Sequence, residues 1–513
     1  MEDTGFTRRQ MLKHSAVLAI GAGLGLSFTR QARGNPLPIK LPFDEYSKYD
    51  ALGLAELVAR GEVSASELLE TAIQRAEAVN PKINAIVLKH YELARKTIKQ
   101  GLPDGPFKGV PFLLKDLGIS LKGTITTNGS KFYQNHVASF DSTLVERYEK
   151  AGLVIFGKTH SPEFGGSPSS ESTLFGATHN PWNLEHSAGG SSGGTAAAIA
   201  AGIVPVGHAS DGGGSIRIPS SCCGLFGMKT TRARVPLGPP DFESRNGLAV
   251  AHAISRSVRD NAALLDISKG ADFGDPVLAP KPVGPYLKEV GAPVGRLHIA
   301  LMREPVIPFP VDPECLKAVD STAKLCASLG HVVEEAKPRL DLQGIFMGMG
   351  VSSDVVTAMK VSVREKELGR SVKEEELEPI NWQRLQRGRK VTAVDYVKAR
   401  KAFHHATRAM AEFQRRYDVI LSPTMASLPA KLGLLAQTND EEVFNQYATG
   451  ASVFTMLYNG TGQPAMSVPL YWSAEGLPVG VMFAGRFGDE ATLYRLAAQL
   501  EGERPWADRR PSI

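Results

Sequence analysis

Three short segments carry residue types and spacings that suit acyl-transfer chemistry. The first, Gly109 to Asp116 (GVPFLLKD), sets Lys115 behind Val110, Phe112, Leu113 and Leu114. A lysine among apolar neighbours loses solvation of its charge, and its pKa falls by up to ~3–5 units. A neutral lysine can then act as a general base. The plainer alternative is a strand-end lysine paired with Asp116 or another acid. The second segment, Ser210 to Arg217 (SDGGGSIR), places Ser215 directly after Gly212, Gly213 and Gly214. Glycines admit φ > 0 and close approach of a substrate. Their successive N–H groups can converge on one oxygen as an oxyanion hole, in reach of a serine that attacks the carbonyl. A Gly-rich turn is the competing reading. The third, Gly189 to Gly194 (GGSSGG), centres on Ser191 and satisfies G-x-S-x-G. Read as a nucleophile elbow, it makes Ser191 the nucleophile of an esterase and calls for a strand before Gly189 and a histidine downstream, such as His404 or His405. Residues 179–188 (HNPWNLEHSA) do not read as that strand. A phosphate-cradling loop fails as well, because no Gly-Lys-Ser/Thr follows. None of the 12 histidines lies in an H-E-x-x-H pattern, so no metal site is expected.

The elements around these segments alternate. Residues 54–79 read as one helix, with Ser64 to Glu67 as a capping box and Asn80-Pro81 as its stop. Strands are expected at 83–88, 109–115 and 153–157, and helices at 91–99, 141–151 and 255–269. The stretch 176–229, dense in Gly, Ser and Ala, reads as loops with one small-residue helix. Strand 297–301, helix 313–328, strand 331–335, strand 418–422, strand 478–483 and helix 489–501 follow. Residues 340–415 are mostly helical and polar on one face, which suits a lid or added subdomain. Alternation of this kind predicts an α/β class.

The chain has 513 residues and a formal net charge of +5 from 58 basic and 53 acidic residues. No basic tail with interleaved aromatics occurs, so no nucleic-acid partner is expected. Cys222, Cys223, Cys315 and Cys326 show no C-x-x-C spacing. The last two are ~16 Å apart along one helix, too far for a disulfide, so all four are expected as small buried hydrophobes. Thr7 to Lys13 holds the pair Arg8-Arg9, followed by a weakly apolar run from Ala16 to Leu26 and by Ala32-Arg33-Gly34. This reads as a twin-arginine signal peptide over 1–34, with export to the periplasm or beyond and no membrane insertion of the mature chain. The main domain then spans 35–513.

In this order and spacing, the three segments resemble the amidase signature family. Pro181-Trp182-Asn183, Arg217-Ile218-Pro219, Gly224 to Lys229 (GLFGMK) and Gly462-Gln463-Pro464 carry the likeness further, from about residue 50 to the C-terminus. The resemblance implies an α/β amidase-signature fold, a central mixed β-sheet covered by helices on both faces. It implies a Ser–Ser–Lys triad: Ser215 attacks the amide, Ser191 on a cis peptide after Gly190 relays the proton, and neutral Lys115 receives it. The N–H groups of Gly212, Gly213, Gly214 and Ser215 would hold the oxyanion, and Ser192, Asp211 and Arg217 would support the loop. No cofactor is implied. Ser210 stands where the family usually has Thr, and Gly212 where a larger residue is common, which would loosen the loop. Within the family, GPFKGVPFLLKDL, NPWNLEHSAGGSSGG, RSVRDNAALLD and LEGERPW look most like the 6-aminohexanoate-cyclic-dimer hydrolases and related bacterial amidases. This suggests a small-molecule amide, uncharged or cyclic, of aminohexanoate type. The glutaminase subunit of tRNA-dependent amidotransferases shares the pattern but works in the cytoplasm with partner subunits, which the export signal argues against. A binding protein that keeps the fold without the chemistry is disfavoured by the complete triad. A homodimer is left open.

Overall fold

The structure, a computed structural model, describes residues 41–513; the predicted signal segment lies outside the described residues. After a single helical turn at Phe43–Tyr46 come α1 (Ala51–Ala59) and α2 (Ala65–Ile83). They are two helices where the periodicity predicts one, because residues 60–64 break the run at Gly61. The capping box is present: Glu67 N–H donates to Ser64 Oγ at 3.2 Å and Ser64 N–H donates to Glu67 Oε2 at 2.7 Å. Leu68, Leu69, Ala72, Ile73, Ala76 and Val79 form its buried stripe. The helix also runs past Asn80-Pro81 to Ile83. The Asn80 side chain accepts the N–H groups of Ala85 and Ile86, both at 2.8 Å, and so finishes the helix two residues beyond the proline.

Two sheets follow. β1 (Ile86–Lys89), β2 (Pro111–Lys115) and β3 (Val154–Thr159) form the smaller one, with β3 central, antiparallel to β1 and parallel to β2. Every residue of β2 is buried, as a continuous apolar run covered on both faces must be.

The segment expected as loops with one helix holds more. It contains α3 (Gly193–Ala200), β4 (Val206–Asp211), α4 (Arg217–Cys223) and β5 (Phe226–Lys229). Small residues hid these elements, since alanine, serine and glycine carry little period-2 or period-3.6 signal. They are small because the packing is close: a Cβ on Gly194 would lie 2.4 Å from the His160 nitrogen and 2.6 Å from the Ala85 oxygen. Residues 179–187 also differ from expectation. His179–Asn180 pairs with Asn183–Ser187 in a two-stranded ribbon, separate from both sheets.

Further strands are β6 (Val250–Ser255), β7 (His298–Leu301), β8 (Val332–Glu335), β9 (Val419–Pro423), β10 (Ala465–Trp472) and β11 (Pro478–Gly485). With β4 and β5 they build an eight-stranded mixed sheet in the order β8-β7-β9-β11-β10-β5-β6-β4. β7 is parallel to β8 and β9, and the remaining pairs are antiparallel. Helices pack around it, including Val258–Ser268, Pro313–Ser328 and Glu490–Glu503. Between β8 and β9 the chain makes an excursion of three helices, α5 (Leu342–Leu368), α6 (Pro379–Gly388) and α7 (Ala393–Phe413). Ile345 and Met349 of α5 pack with Phe403, Met410 and Tyr458, while Val361 and Leu385 close on Phe132 and Tyr133. All four cysteines are free and buried. Among the described residues no helix is long and apolar enough to cross a membrane.

Candidate active site

β2 delivers Lys115 to the centre of the molecule. β2 lies beside β4, where the Lys115 N–H donates to His208 Nδ1 at 3.3 Å. Burial pushes His208 down to about 3, so its ring is a neutral acceptor. The Lys115 ammonium end is fully buried. Its Nζ donates to Ser191 Oγ at 2.7 Å and to Ser210 Oγ at 3.1 Å. Burial holds its pKa well below the ordinary lysine value; Asp211 opposes this and Lys360 adds to it. Pairing with Asp116, the plainer reading of this lysine, does not occur. Asp116 accepts the Thr127 N–H at 2.9 Å and the Thr127 hydroxyl, and burial pushes its carboxyl up to about 6.

Ser191 follows a cis peptide bond from Gly190. Its neighbour Ser192 fastens the turn to β4, donating to the Ser210 carbonyl at 3.2 Å and accepting the Ser210 N–H at 3.4 Å. The loop 163–166 closes the other side: a Cβ on Gly165 would lie 3.2 Å from Ser191 Oγ. Phe164 of this loop has a φ of 53°. No histidine bonds to Ser191 among the described residues. His404 and His405 are exposed on α7, and the ribbon before Gly189 belongs to no large sheet. The elbow arrangement is therefore not assembled.

Ser215 sits partly exposed between β4 and α4. The preceding loop is gripped from below by Asp211. Its Oδ1 accepts the Gly214 N–H at 2.8 Å and its Oδ2 accepts the Ile216 N–H at 3.1 Å. The Arg217 guanidinium donates to both oxygens at 2.9 Å. Burial alone would raise the Asp211 carboxyl, but Arg217 holds it well below the usual carboxylate range. Arg217 also donates to the Thr455 carbonyl and to Asn459 Oδ1, both at 2.8 Å. Gly214 has a φ of 139°, and a Cβ there would lie 2.4 Å from Thr455 Oγ1 and 2.6 Å from Ile218 Cδ1. Only glycine meets both demands. Its N–H, held by Asp211, leaves the expected set of oxyanion donors. The N–H groups of Gly212, Gly213 and Ser215 have no hydrogen-bond partner among the described residues.

Several residues at the site make contacts that had no local signal in the sequence. Ser210 lies within a motif, but nothing local shows that its hydroxyl meets Lys115, which it does because β4 ends there. Arg245 is a second case. Its Nη1 donates to the Gly212 carbonyl at 3.0 Å and its Nη2 donates to Ser353 Oγ on α5. The Asn246-Gly247 pair beside it was the one visible cue, a turn signal; the three residues have φ values of 50°, 58° and 78°. Met349 of α5 also arrives from afar, its Cε 4.0 Å from where a Gly213 Cβ would be. Lys360 of α5 lies with its Nζ 5.6 Å from the Phe164 ring centre.

Comparison with known proteins agrees with this architecture. The sequence pattern of the amidase family ("Amidase") matches residues 67–494. The chain is 38% identical over 477 residues to a 6-aminohexanoate-cyclic-dimer hydrolase of Paenarthrobacter ureafaciens, covering 90% of this chain and 96% of that protein. Its fold is similar to the solved structure of 6-aminohexanoate cyclic dimer hydrolase, with a TM-score of 0.87 at 37% identity, covering 91% of this chain and 99% of the other. A bacterial aryl acylamidase of the amidase signature family is similar at a TM-score of 0.82 and 27% identity, over 90% of this chain and 97% of that one. With a pattern match across most of its length and a relative of this identity, the chain belongs to the amidase signature family and is an amide-hydrolysing enzyme.

Proposed function

We propose that amide hydrolysis here runs through Ser215, Ser191 and Lys115. Ser215 Oγ attacks the carbonyl carbon. Its proton passes to Ser191 Oγ, and the Ser191 proton passes to neutral Lys115. The developing oxyanion takes the free N–H groups of Gly212, Gly213 and Ser215. Lys115 then returns its proton through Ser191 to the leaving nitrogen, the C–N bond breaks, and an acyl-enzyme on Ser215 remains. Water opens that ester by the same relay in reverse. The observation that carries the reading is the 2.7 Å contact between Lys115 Nζ and Ser191 Oγ, on a lysine whose pKa burial holds well below its ordinary value. The substrate in this reading is a small molecule, and the first compounds to try are cyclic and linear aminohexanoate amides. Neither nucleic acid nor membrane insertion has a part in it. The three-helix excursion is read as the specificity-setting lid. Export by the twin-arginine route is part of the proposal; a secreted protein whose N-terminal sequence begins at Met1 would overturn that part.

The test is amine release from linear, cyclic and aryl amides by wild type, Ser215→Ala, Ser191→Ala and Lys115→Ala. Loss of most activity in all three variants is the expected result. Retained activity in Lys115→Ala at every pH, with Ser191→Ala dead, would return the nucleophile to Ser191.

A further inference from the structure

Three cations lie against the loops that border Ser215 and Ser191, and none forms an ion pair with a carboxylate among the described residues. Arg245 lies on the loop that carries Ser215: its Nη1 is 3.0 Å from the Gly212 carbonyl and 3.6 Å from where a Gly213 Cβ would stand. Its other hydrogen bond goes to a neutral hydroxyl, Ser353. Lys360 sits across Phe164, one residue from the Gly165 that borders Ser191. Arg384 donates to the Gly166 carbonyl at 3.1 Å and to the side-chain oxygens of Asn381 and Gln437 at 3.0 and 3.2 Å, all neutral. These charges feel one another. Beyond the effect of burial, Arg384 lowers Arg245, Arg245 lowers Lys360, and Lys360 lowers Lys115. Lys360, pushed down to about 8, still carries its proton at neutral pH.

The nearby carboxyl groups do not cancel this charge. Asp211 is matched by Arg217 within the loop base; Asp354 and Glu441 share Arg387, at 3.0 and 3.1 Å, and act on Arg384, leaving Arg245 and Lys360 as the uncompensated pair. Glu163 and Glu378 are pushed up by burial, toward their neutral forms. Half-buried cations without counter-charge are costly unless a ligand completes them. A carboxylate is the group that a guanidinium and an ammonium together complete, by charge-assisted hydrogen bonds.

We propose that Arg245 and Lys360 form an anion subsite beside the Ser215 loop, so that the favoured substrate is a linear amide bearing a carboxylate rather than an uncharged or cyclic one. The inference rests on Ser215 being the nucleophile. Lys360 supplies charge from α5, and Arg245 supplies charge with a geometry fixed by Gly212 and Ser353. Both act on the substrate portion beyond the scissile bond.

Two fluorophosphonates of equal length test it, one ending in a carboxylate and one in the neutral methyl-ketone isostere. Inactivation of wild type, read as kinact/KI, should be about 10- to 100-fold faster with the carboxylate probe. Lys360→Met and Arg245→Met should each cut that ratio by about tenfold or more. In Lys360→Met the carboxylate-to-neutral ratio of KI should rise while the ratio of kinact stays in place, because any effect of Lys360 on Lys115 acts on both probes alike; a merely structural loss would not give that split. Added salt should lower the wild-type ratio. Adipic acid monoanilide and N-hexanoyl-6-aminohexanoate, each against its methyl-ketone isostere, then tell whether the carboxylate belongs to the acyl or the amine side. Equal or faster labelling by the neutral probe, or a ratio unchanged in both variants, overturns the subsite and leaves the nucleophile reading standing. Failure of both probes to label Ser215 overturns the nucleophile reading, and the subsite with it.

Discussion

A lysine that serves as a base at neutral pH must be kept from water, and the fold bears a stability cost for keeping Lys115 so. Below its ordinary value, 10.5, the unfolded chain holds a proton on this lysine that the folded chain does not. Folding therefore loses stability as pH falls through that window, by up to ~1.4 kcal/mol per pH unit. Lys115→Met removes the titration. The two hydroxyls it abandons, on Ser191 and Ser210, each lose a partner at about 1–3 kcal/mol, so the sign at one pH is a contest. The slope is not: the stability of Lys115→Met relative to wild type should rise as pH is lowered from about 10, until Lys115 itself protonates. Denaturant titrations across pH check this, and parallel curves would refute it. The same group sets the acid limb of kcat/KM, with activity rising as pH climbs through the lowered Lys115 value. Ser210 tunes its placement. Ser210→Ala should cost about tenfold in kcat with KM little changed, and Ser210→Thr should restore it, because the threonine hydroxyl can occupy the same position.

At the level of elements, the proposed nucleophile, Ser215, sits on a turn whose shape is imposed from both sides. Asp211 holds the N–H groups of Gly214 and Ile216, while Thr455 Oγ1 donates to the Gly213 carbonyl at 2.7 Å. Gly214→Ala forces a Cβ against Thr455 at a φ that L-residues avoid, at a cost of about 2–3 kcal/mol. Phosphonate labelling of Ser215 should slow by about 100-fold or more, with the far-ultraviolet circular dichroism unchanged; labelling at the wild-type rate would refute the account. The elements around this turn show what a sequence can and cannot disclose. The pairing of Lys115 with Ser191, and the Ser215 turn after its glycines, follow segments that residue type and local neighbours single out in the sequence. Helix α2 was legible at its start, where the Ser64–Glu67 box is local, and misjudged at its end, where the Asn80 side chain carries it beyond Pro81. Strands β4 and β5 were hidden in a small-residue stretch whose composition answers to close packing. Ser210, Arg245 and Lys360 reach the site only through tertiary structure, and no spacing rule connects residue 245 to residue 212.

For the whole molecule, the helical excursion is anchored to the catalytic half by a buried polar knot. Glu163, next to Phe164 and Gly165, accepts from Ser130 Oγ at 2.6 Å, from Asn381 Nδ2 at 2.8 Å and from the Glu378 N–H at 2.9 Å. Glu378 accepts from Gln437 at 3.0 Å and from the Thr173 N–H at 2.8 Å. Burial raises both carboxyls. Groups raised in this way support the fold fully below the ordinary carboxylate range, and the support is lost as pH rises toward their raised values. Wild-type stability should therefore contain a component that declines between about pH 5 and pH 8. Glu378→Gln should flatten that decline in thermal-melt series at matched ionic strength, and an unchanged decline would refute the assignment.

Arg217 reaches 238 residues forward to the Thr455 carbonyl and 242 to the Asn459 side chain. The groups that set the Ser215 turn thus follow it by more than two hundred residues of chain. A growing chain already carries every residue of the proposed triad once Ser215 has emerged, yet it has nothing to hold the turn in its working shape. A chain that ends before Thr455 should therefore hold Ser215 on an unformed turn, whatever the state of its earlier strands. Ribosome-stalled chains ending near residue 440 should ignore the phosphonate probe that labels the finished protein.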